Sequence, residues 1–329
     1  MLELLLKKPF EIELRECASL PSPCGDEVKI ELVYGGICGT DLSVFKGAVQ
    51  YATYPVRPGH EVVGVIVEAG TEALYPPGTR VVVLPNSFCG TCVKCRMGKT
   101  NICLHKKSMG INTDGGFSEE IVVSSRFVLP IPDDLPDEKA VLIEPLAVIV
   151  HAFQKVKLGK GTSVAIIGCG NEGKLAVLLA SFLGADVTAV DINPAKLEVV
   201  RQMGHKVRTV LPEELQGETF DVVIEAAGTK SSIESGIQLV TPGGSMVLVG
   251  ITQEATFPVA HVVRSELTLY GSIIYSFPDD FLKTIEYLRN EHFAVEPVIS
   301  KIMPLSSFKQ AYESAFSGDY GKIILDFRR

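Results

Sequence analysis

Hydrophobic and polar positions alternate in short runs along roughly the first 125 residues, as in "EVKIELVYGGIC", "EVVGVIVEAG", "GTRVVVLP" and "FSEEIVVSS". Each run is rich in β-branched side chains and ends at glycine or proline, the pattern of strands in an all-β barrel or sandwich. The pattern changes near residue 140. From residue 162 onward, apolar strands alternate with stretches of helical period, which predicts βαβ units on a parallel sheet. Strands are expected at Ser163–Ile167, Val187–Val190, Asp221–Ala226 and Ser245–Val249, with helices at Gly173–Leu183, Pro194–Met203 and Ser231–Val240. Past residue 285 the pattern is mixed, with one helix in "SSFKQAYESAF" and a last strand in "GKIILDF". The expected fold class is α/β, a doubly wound parallel sheet joined to a β-rich domain.

A chain of 329 residues is long for one core, and 46% hydrophobic residues can fill two. The formal charge of −8, with lysines and arginines scattered, argues against nucleic acid or an anionic membrane as partner. The first residues, "MLELLLKKPF", lack the cleavage site of a signal peptide. No apolar run reaches the ~20 residues that span a bilayer. The expectation is a soluble cytoplasmic protein.

"VAIIGCGNEGKLAVLLA" carries Gly168, Gly170 and Gly173 in the order G-x-G-x-x-G. An apolar strand precedes it, a helix follows, and the next strand, "VTAVD", ends on Asp191. In that context the glycines predict a dinucleotide site, with the pyrophosphate at the helix N-terminus. The competing reading is a glycine-rich turn without a ligand. Asp191 suits the adenosine ribose hydroxyls and repels the extra phosphate of NADP, so NAD is expected; Lys196 flanks the same ribose or is simply solvated. Asn171 and Glu172 sit oddly at the start of that helix, because a carboxylate there repels pyrophosphate unless it points away.

Four of the eight cysteines fall close together, as Cys89, Cys92, Cys95 and Cys103 in "CGTCVKCRMGKTNIC". Four thiolates at this spacing can close a tetrahedron round one structural zinc. An iron–sulfur cluster has related spacing, but no proline follows the last cysteine. Disulfides are the third reading, disfavoured in a reducing compartment.

Upstream lie "GGICGTDLSVFKG" and "PGHEVVGVIVEAG", and later "LIEPLAVIVHAF". With the cysteine cluster and the glycine fingerprint, these resemble the zinc-containing medium-chain alcohol dehydrogenases, nearest the polyol, sorbitol-like and threonine branch, over essentially the whole chain. The resemblance implies a GroES-like catalytic domain with both zinc sites (1–146), a Rossmann NAD-binding domain (147–284) and a segment returning to the catalytic domain (285–329). It implies two zinc ions per chain, the catalytic one in the cleft between the domains. Cys38 and His60 match the first two ligands of that zinc. Glu61 is a direct or exchanging ligand, and Glu144 stands where other branches use cysteine. Independently of the resemblance, a thiolate, an imidazole and a carboxylate leave a fourth position open.

The implied activity is hydride transfer from a secondary alcohol (a polyol, cyclitol, sugar acid or amino alcohol) to NAD, with zinc acidifying the hydroxyl. Thr40 matches the residue that bonds the reacting oxygen. Two positions depart from the family: Ser43 replaces a relay histidine, and Ile274 in "GSIIY" replaces a polyol-binding arginine. Phe45 and Tyr275 are candidate pocket walls or core residues. Alternatives are a dehydrogenase of simple primary alcohols or aldehydes, and a catalytically silent zinc- and NAD-binding regulatory protein. The family also implies a homodimer or homotetramer.

Overall fold

The structure is a computed structural model, and it describes residues 1–204 and 206–328. The chain divides into two compact units, and both are discontinuous. The first comprises Met1–Glu144, Ser276–Arg289 and Ile299–Arg329; the second comprises Pro145–Tyr275 and Asn290–Val298. Against the expected bounds at 146 and 284, the chain rejoins the first unit at Ser276, and residues 290–298 cross back to the second.

The first unit is built on a seven-stranded sheet. The long strand Glu27–Ile37 lies at its centre and pairs with Glu61–Ala69, Glu120–Ser124 and Lys322–Asp326, all antiparallel. Alternating side chains fill one core, with Val28, Ile30, Leu32, Ile66, Val81, Val83, Ile323 and Leu325 buried together. Each contributes roughly 1.5–3 kcal/mol by leaving water. The helix Phe308–Ser317 closes this core with Phe308, Ala311 and Tyr312. Register matters here. Gly36 lies opposite Glu61, and Ile37 lies opposite Ile323, so Glu61 and Lys322 flank the same end of the central strand.

The second unit is a six-stranded parallel sheet. Its spatial order is Arg208–Val210, Asp186–Val190, Ser163–Ile167, Phe220–Glu225, Val240–Leu248, Thr268–Gly271. Numbered within the unit, that order is 3-2-1-4-5-6, the doubly wound arrangement whose direction reverses between Ser163–Ile167 and Phe220–Glu225. Dinucleotides bind outside the carboxyl ends of the strands at such a reversal.

Two elements differ from expectation. Pro242, Gly243 and Gly244 signal a turn before Ser245, yet the strand begins at Val240. The ladder absorbs the extra residues at one irregularity: Phe220 pairs with Val240, and Val222 with Ser245. The helix expected over 231–240 runs only from Lys230 to Gly236, and one tighter turn, Ile237–Leu239, completes it. Among the described residues no helix is long and apolar enough to cross a membrane.

Candidate active site and metal centres

The four clustered cysteines form a small lobe. A short pairing of Asn86–Ser87 with Lys107–Ser108 closes its base, and the helical turn Val93–Arg96 starts at Cys92. Cys89 and Cys95 sulfurs are 4.0 Å apart, Cys92 and Cys95 3.5 Å, Cys92 and Cys103 3.9 Å, Cys89 and Cys103 3.6 Å. A tetrahedron with zinc–sulfur bonds of ~2.3 Å has sulfur edges of about 3.8 Å. Disulfide sulfurs sit at ~2.05 Å. The spacing fits a closed tetrathiolate site, and all four cysteines are free. Backbone amides aim at the sulfurs: Cys92 N–H donates to Cys89 Sγ at 3.3 Å and Cys95 N–H to Cys92 Sγ at 3.5 Å. Amides of Thr91 and Cys92 hold the Cys89 thiol down to about 5, whereas burial and neighbouring thiols push Cys95 up to about 12.

The second cluster gathers Cys38, His60 and Glu61, whose ligand atoms lie within 4.8 Å of one another. Cys38 caps the helix Gly39–Phe45, and its N–H donates to Asp41 Oδ2 at 2.9 Å. Asp41 Oδ1 accepts from Gly59 N–H at 3.1 Å and lies 3.3 Å from His60 Nδ1. That last contact is an electrostatic one; among the described residues Nδ1 makes no aligned hydrogen bond. Burial pulls the His60 pKa down, but Asp41 and the Cys38 sulfur outweigh it and hold it well above the ordinary value. Burial pushes the Cys38 thiol up. A bound cation relieves both by replacing their protons.

Glu61 is wholly buried, and its two oxygens accept from Lys322 Nζ at 2.6 and 2.7 Å. Gly36 makes the room: a Cβ there would lie 2.1 Å from Glu61 Oε2. Glu144 is buried in the first turn of the helix Ile143–Phe153 and stands outside the three-residue group. Thr40 is half-buried on the helix that begins at Gly39. Ser43 Oγ donates to Gly39 O at 3.0 Å, so its hydroxyl is engaged within the helix. Phe45 is half-buried, edge-on to the exposed Phe10 and beside Tyr312 and Phe316, at the border of the core.

In the second unit the fingerprint folds as its spacing requires. Gly168 has φ +95°, and a Cβ on it would meet Ala227 N at 2.7 Å. A Cβ on Gly173 would lie 1.7 Å from Gly168 O, while one on Gly170 would meet nothing within 4 Å. Two glycines are thus required by packing, and the third leaves open space at the start of the helix Asn171–Phe182. Asp191 Oδ2 accepts from Cys169 N–H at 2.7 Å and Oδ1 from Asn193 N–H at 2.8 Å. It also lines a cavity of about 380 Å³ with Gly168, Ala227, Thr229, Ser231 and Ser232. Lys196 is half-buried on the helix Pro194–Gln202. Lys174 is buried, and burial together with the Lys196 charge lowers its pKa. Ile274 has φ +42°, a left-handed conformation that strains a β-branched residue.

Three residues were missed by sequence reasoning. Lys322 lies 261 positions from its partner and carries no local signal. Asp41 and Glu225 sit within the quoted motifs or beside them, but only folding shows what they contact. Residues 25–133 match the model for the alcohol dehydrogenase GroES-like domain, and residues 173–290 that for zinc-binding dehydrogenases. The galactitol 1-phosphate 5-dehydrogenase of Escherichia coli is 33% identical over 325 residues, 91% of this chain and 92% of that one.

The chain belongs to the zinc-containing medium-chain alcohol dehydrogenases. It falls in their polyol-dehydrogenase-like branch, and both the GroES-like and the Rossmann halves are accounted for. Two solved structures extend the comparison. An Escherichia coli alcohol dehydrogenase in complex with NADH has a TM-score of 0.91 and 26% identity, covering 99% of each chain. A Sinorhizobium meliloti zinc-binding dehydrogenase bound to NADP has a TM-score of 0.91 and 27% identity, covering 99% of this chain and 98% of that one.

Proposed function

We propose that this enzyme oxidises a secondary alcohol of a polyol, cyclitol, sugar acid or amino alcohol, using zinc and preferring NAD. The observation that carries the chemistry is the group of Cys38, His60 and Glu61, one sulfur, one imidazole and one carboxylate within 4.8 Å. When bound, zinc supplies Lewis acidity at the alcohol oxygen and the nicotinamide supplies a hydride acceptor. The chain's own residues prepare that step. Cys38 and His60 would hold the metal, and the Asp41 carboxylate faces His60 Nδ1 at 3.3 Å on the ring's other side. Lys322 engages both oxygens of Glu61, so Glu144 is the candidate third ligand and Glu61 the exchanging one. Thr40 is placed two residues after Cys38 to hold the reacting hydroxyl. Ser43, tied to Gly39 O, is not the next carrier in a proton relay.

NAD preference rests on Asp191. Its charge at the rim of the 380 Å³ cavity opposes a ribose phosphate. The galactitol 1-phosphate 5-dehydrogenase relative supports a polyhydroxylated substrate. Ile274 favours one read by donors other than an arginine at that position. Eight free cysteines accord with a cytoplasmic location. The test is NADH formation from polyols, cyclitols, sugar acids, threonine and simple primary and secondary alcohols, each with NAD and with NADP. Turnover of a polyhydroxylated secondary alcohol with NAD supports the reading. Turnover confined to primary alcohols overturns it.

A further inference from the structure

Glu225 ends the strand Phe220–Glu225, at the point where the strand order reverses, and is wholly buried. It lies opposite Ile167 on one side and Leu248 on the other. Its Oε1 accepts three hydrogen bonds, from Ala227 N–H at 2.9 Å, Gly228 N–H at 2.8 Å and Ser232 Oγ at 2.7 Å. Its own carbonyl accepts from Val249 N–H at 2.9 Å and Gly250 N–H at 3.0 Å. One residue therefore ties together the turns that follow two neighbouring strands.

Those turns leave no slack. A Cβ on Gly250 would lie 2.3 Å from Gly228 N and 2.8 Å from Glu225 Oε2, and one on Gly168 would meet Ala227 N at 2.7 Å. Ala227, Thr229 and Ser232 form the wall of the cavity that Asp191 also lines. A buried carboxyl group is a costly way to shape a turn that apolar packing could fill. Oε2 makes no hydrogen bond among the described residues, so the group is not there for a saturated internal network.

The geometry points to Glu225 as a positioning residue for the dinucleotide: through Ala227, Gly228 and Ser232 it sets the wall against which the coenzyme lies. This rests on the dinucleotide reading proposed above. Glu225→Gln is the informative change. Its amide oxygen can still face the three donors, but as a weaker acceptor, and its NH₂ then falls at the Oε2 position beside the Gly228 and Gly250 backbone. Ser232→Ala removes the hydroxyl that donates to Glu225 Oε1 and, with it, the capping-box bonds to Thr229 at the start of the helix Lys230–Gly236, so thermal unfolding is read beside binding.

The experiment is NADH binding by fluorescence titration, with zinc content, thermal unfolding and steady-state kinetics on the same full-length samples. Glu225→Gln is expected to raise the Kd for NADH about tenfold, which is ~1.4 kcal/mol. Ser232→Ala is expected to raise it about threefold, by loss of the bond to Glu225 and loosening of the Thr229 cap beside the cavity. In both, KM for NAD rises while kcat at saturating NAD and zinc content stay at the wild-type level. A lowered Tm with an unchanged Kd in the folded variants overturns the proposal and leaves Glu225 a structural residue. Failure of the wild-type protein to bind any nicotinamide dinucleotide overturns the dinucleotide reading and this inference together.

Discussion

Both carboxylate oxygens of Glu61 are bonded to the Lys322 ammonium, at 2.6 and 2.7 Å, and neither side chain is exposed. Removing one partner of such a pair strands a charge in the interior. Lys322→Met is expected to cost about 3–5 kcal/mol in chelator-treated protein, read by denaturant unfolding. With zinc restored, the released Glu61 turns toward the metal, and zinc loss to a chelator slows. Stability and zinc release both equal to wild type would show that the pair does not restrain Glu61.

Gly36 controls the same carboxylate from the other side. A methyl group there would lie 2.1 Å from Glu61 Oε2, and the strand holds both backbones in register. Gly36→Ala is expected to cost about 1–3 kcal/mol through overpacking. It also displaces Glu61 from Cys38 and His60, so zinc exchange with a chelator slows while zinc content stays near the wild-type level. Metal analysis beside thermal unfolding separates the two effects.

These two relationships mark what the sequence could and could not show. The cysteine lobe and the glycine fingerprint were legible because their parts are close in sequence and each spacing has few physical solutions. Gly173 is the clearest case, since a Cβ would lie 1.7 Å from Gly168 O. Lys322 was invisible because its partner is 261 residues away and a lysine in a terminal strand reads as solvated. Val240 was missed as a strand start because Pro242, Gly243 and Gly244 carry turn signals that the ladder overrides with an irregular register. Phe45 could not be placed from sequence because its neighbours Phe10, Tyr312 and Phe316 come from distant parts of the chain.

Asp191 accepts from Cys169 and Asn193 backbone amides and also faces the cavity. Asp191→Asn keeps an acceptor for one amide while removing the charge. The ratio of kcat/KM for NAD to that for NADP is expected to fall by about tenfold or more. An unchanged ratio would remove Asp191 from coenzyme discrimination.

Among the lobe cysteines, Cys89 is held down to about 5 by amides of Thr91 and Cys92, and Cys95 is pushed up to about 12 by burial. In metal-free protein at pH 6–7, Cys89 is therefore ahead of Cys95 in thiolate character, and backbone amides of Cys95 and Leu104 lower Cys92 as well. Alkylation followed by mass spectrometry is expected to label Cys89 first, with labelling that falls as the pH drops through about 5. Zinc protects both. Equal labelling rates at Cys89 and Cys95 would contradict the amide-driven ordering.

The most direct measurement is zinc per chain by mass spectrometry, paired with NAD-dependent turnover, in the wild-type protein, Cys38→Ser and Cys95→Ser. The expected wild-type result is about two zinc ions with chelator-sensitive turnover. Cys38→Ser should keep one zinc and a wild-type fold but lose turnover, whereas Cys95→Ser should lose the lobe's zinc and its resistance to proteolysis. Full turnover by Cys38→Ser, or two zinc ions retained in it, would contradict a catalytic metal held by Cys38 and His60.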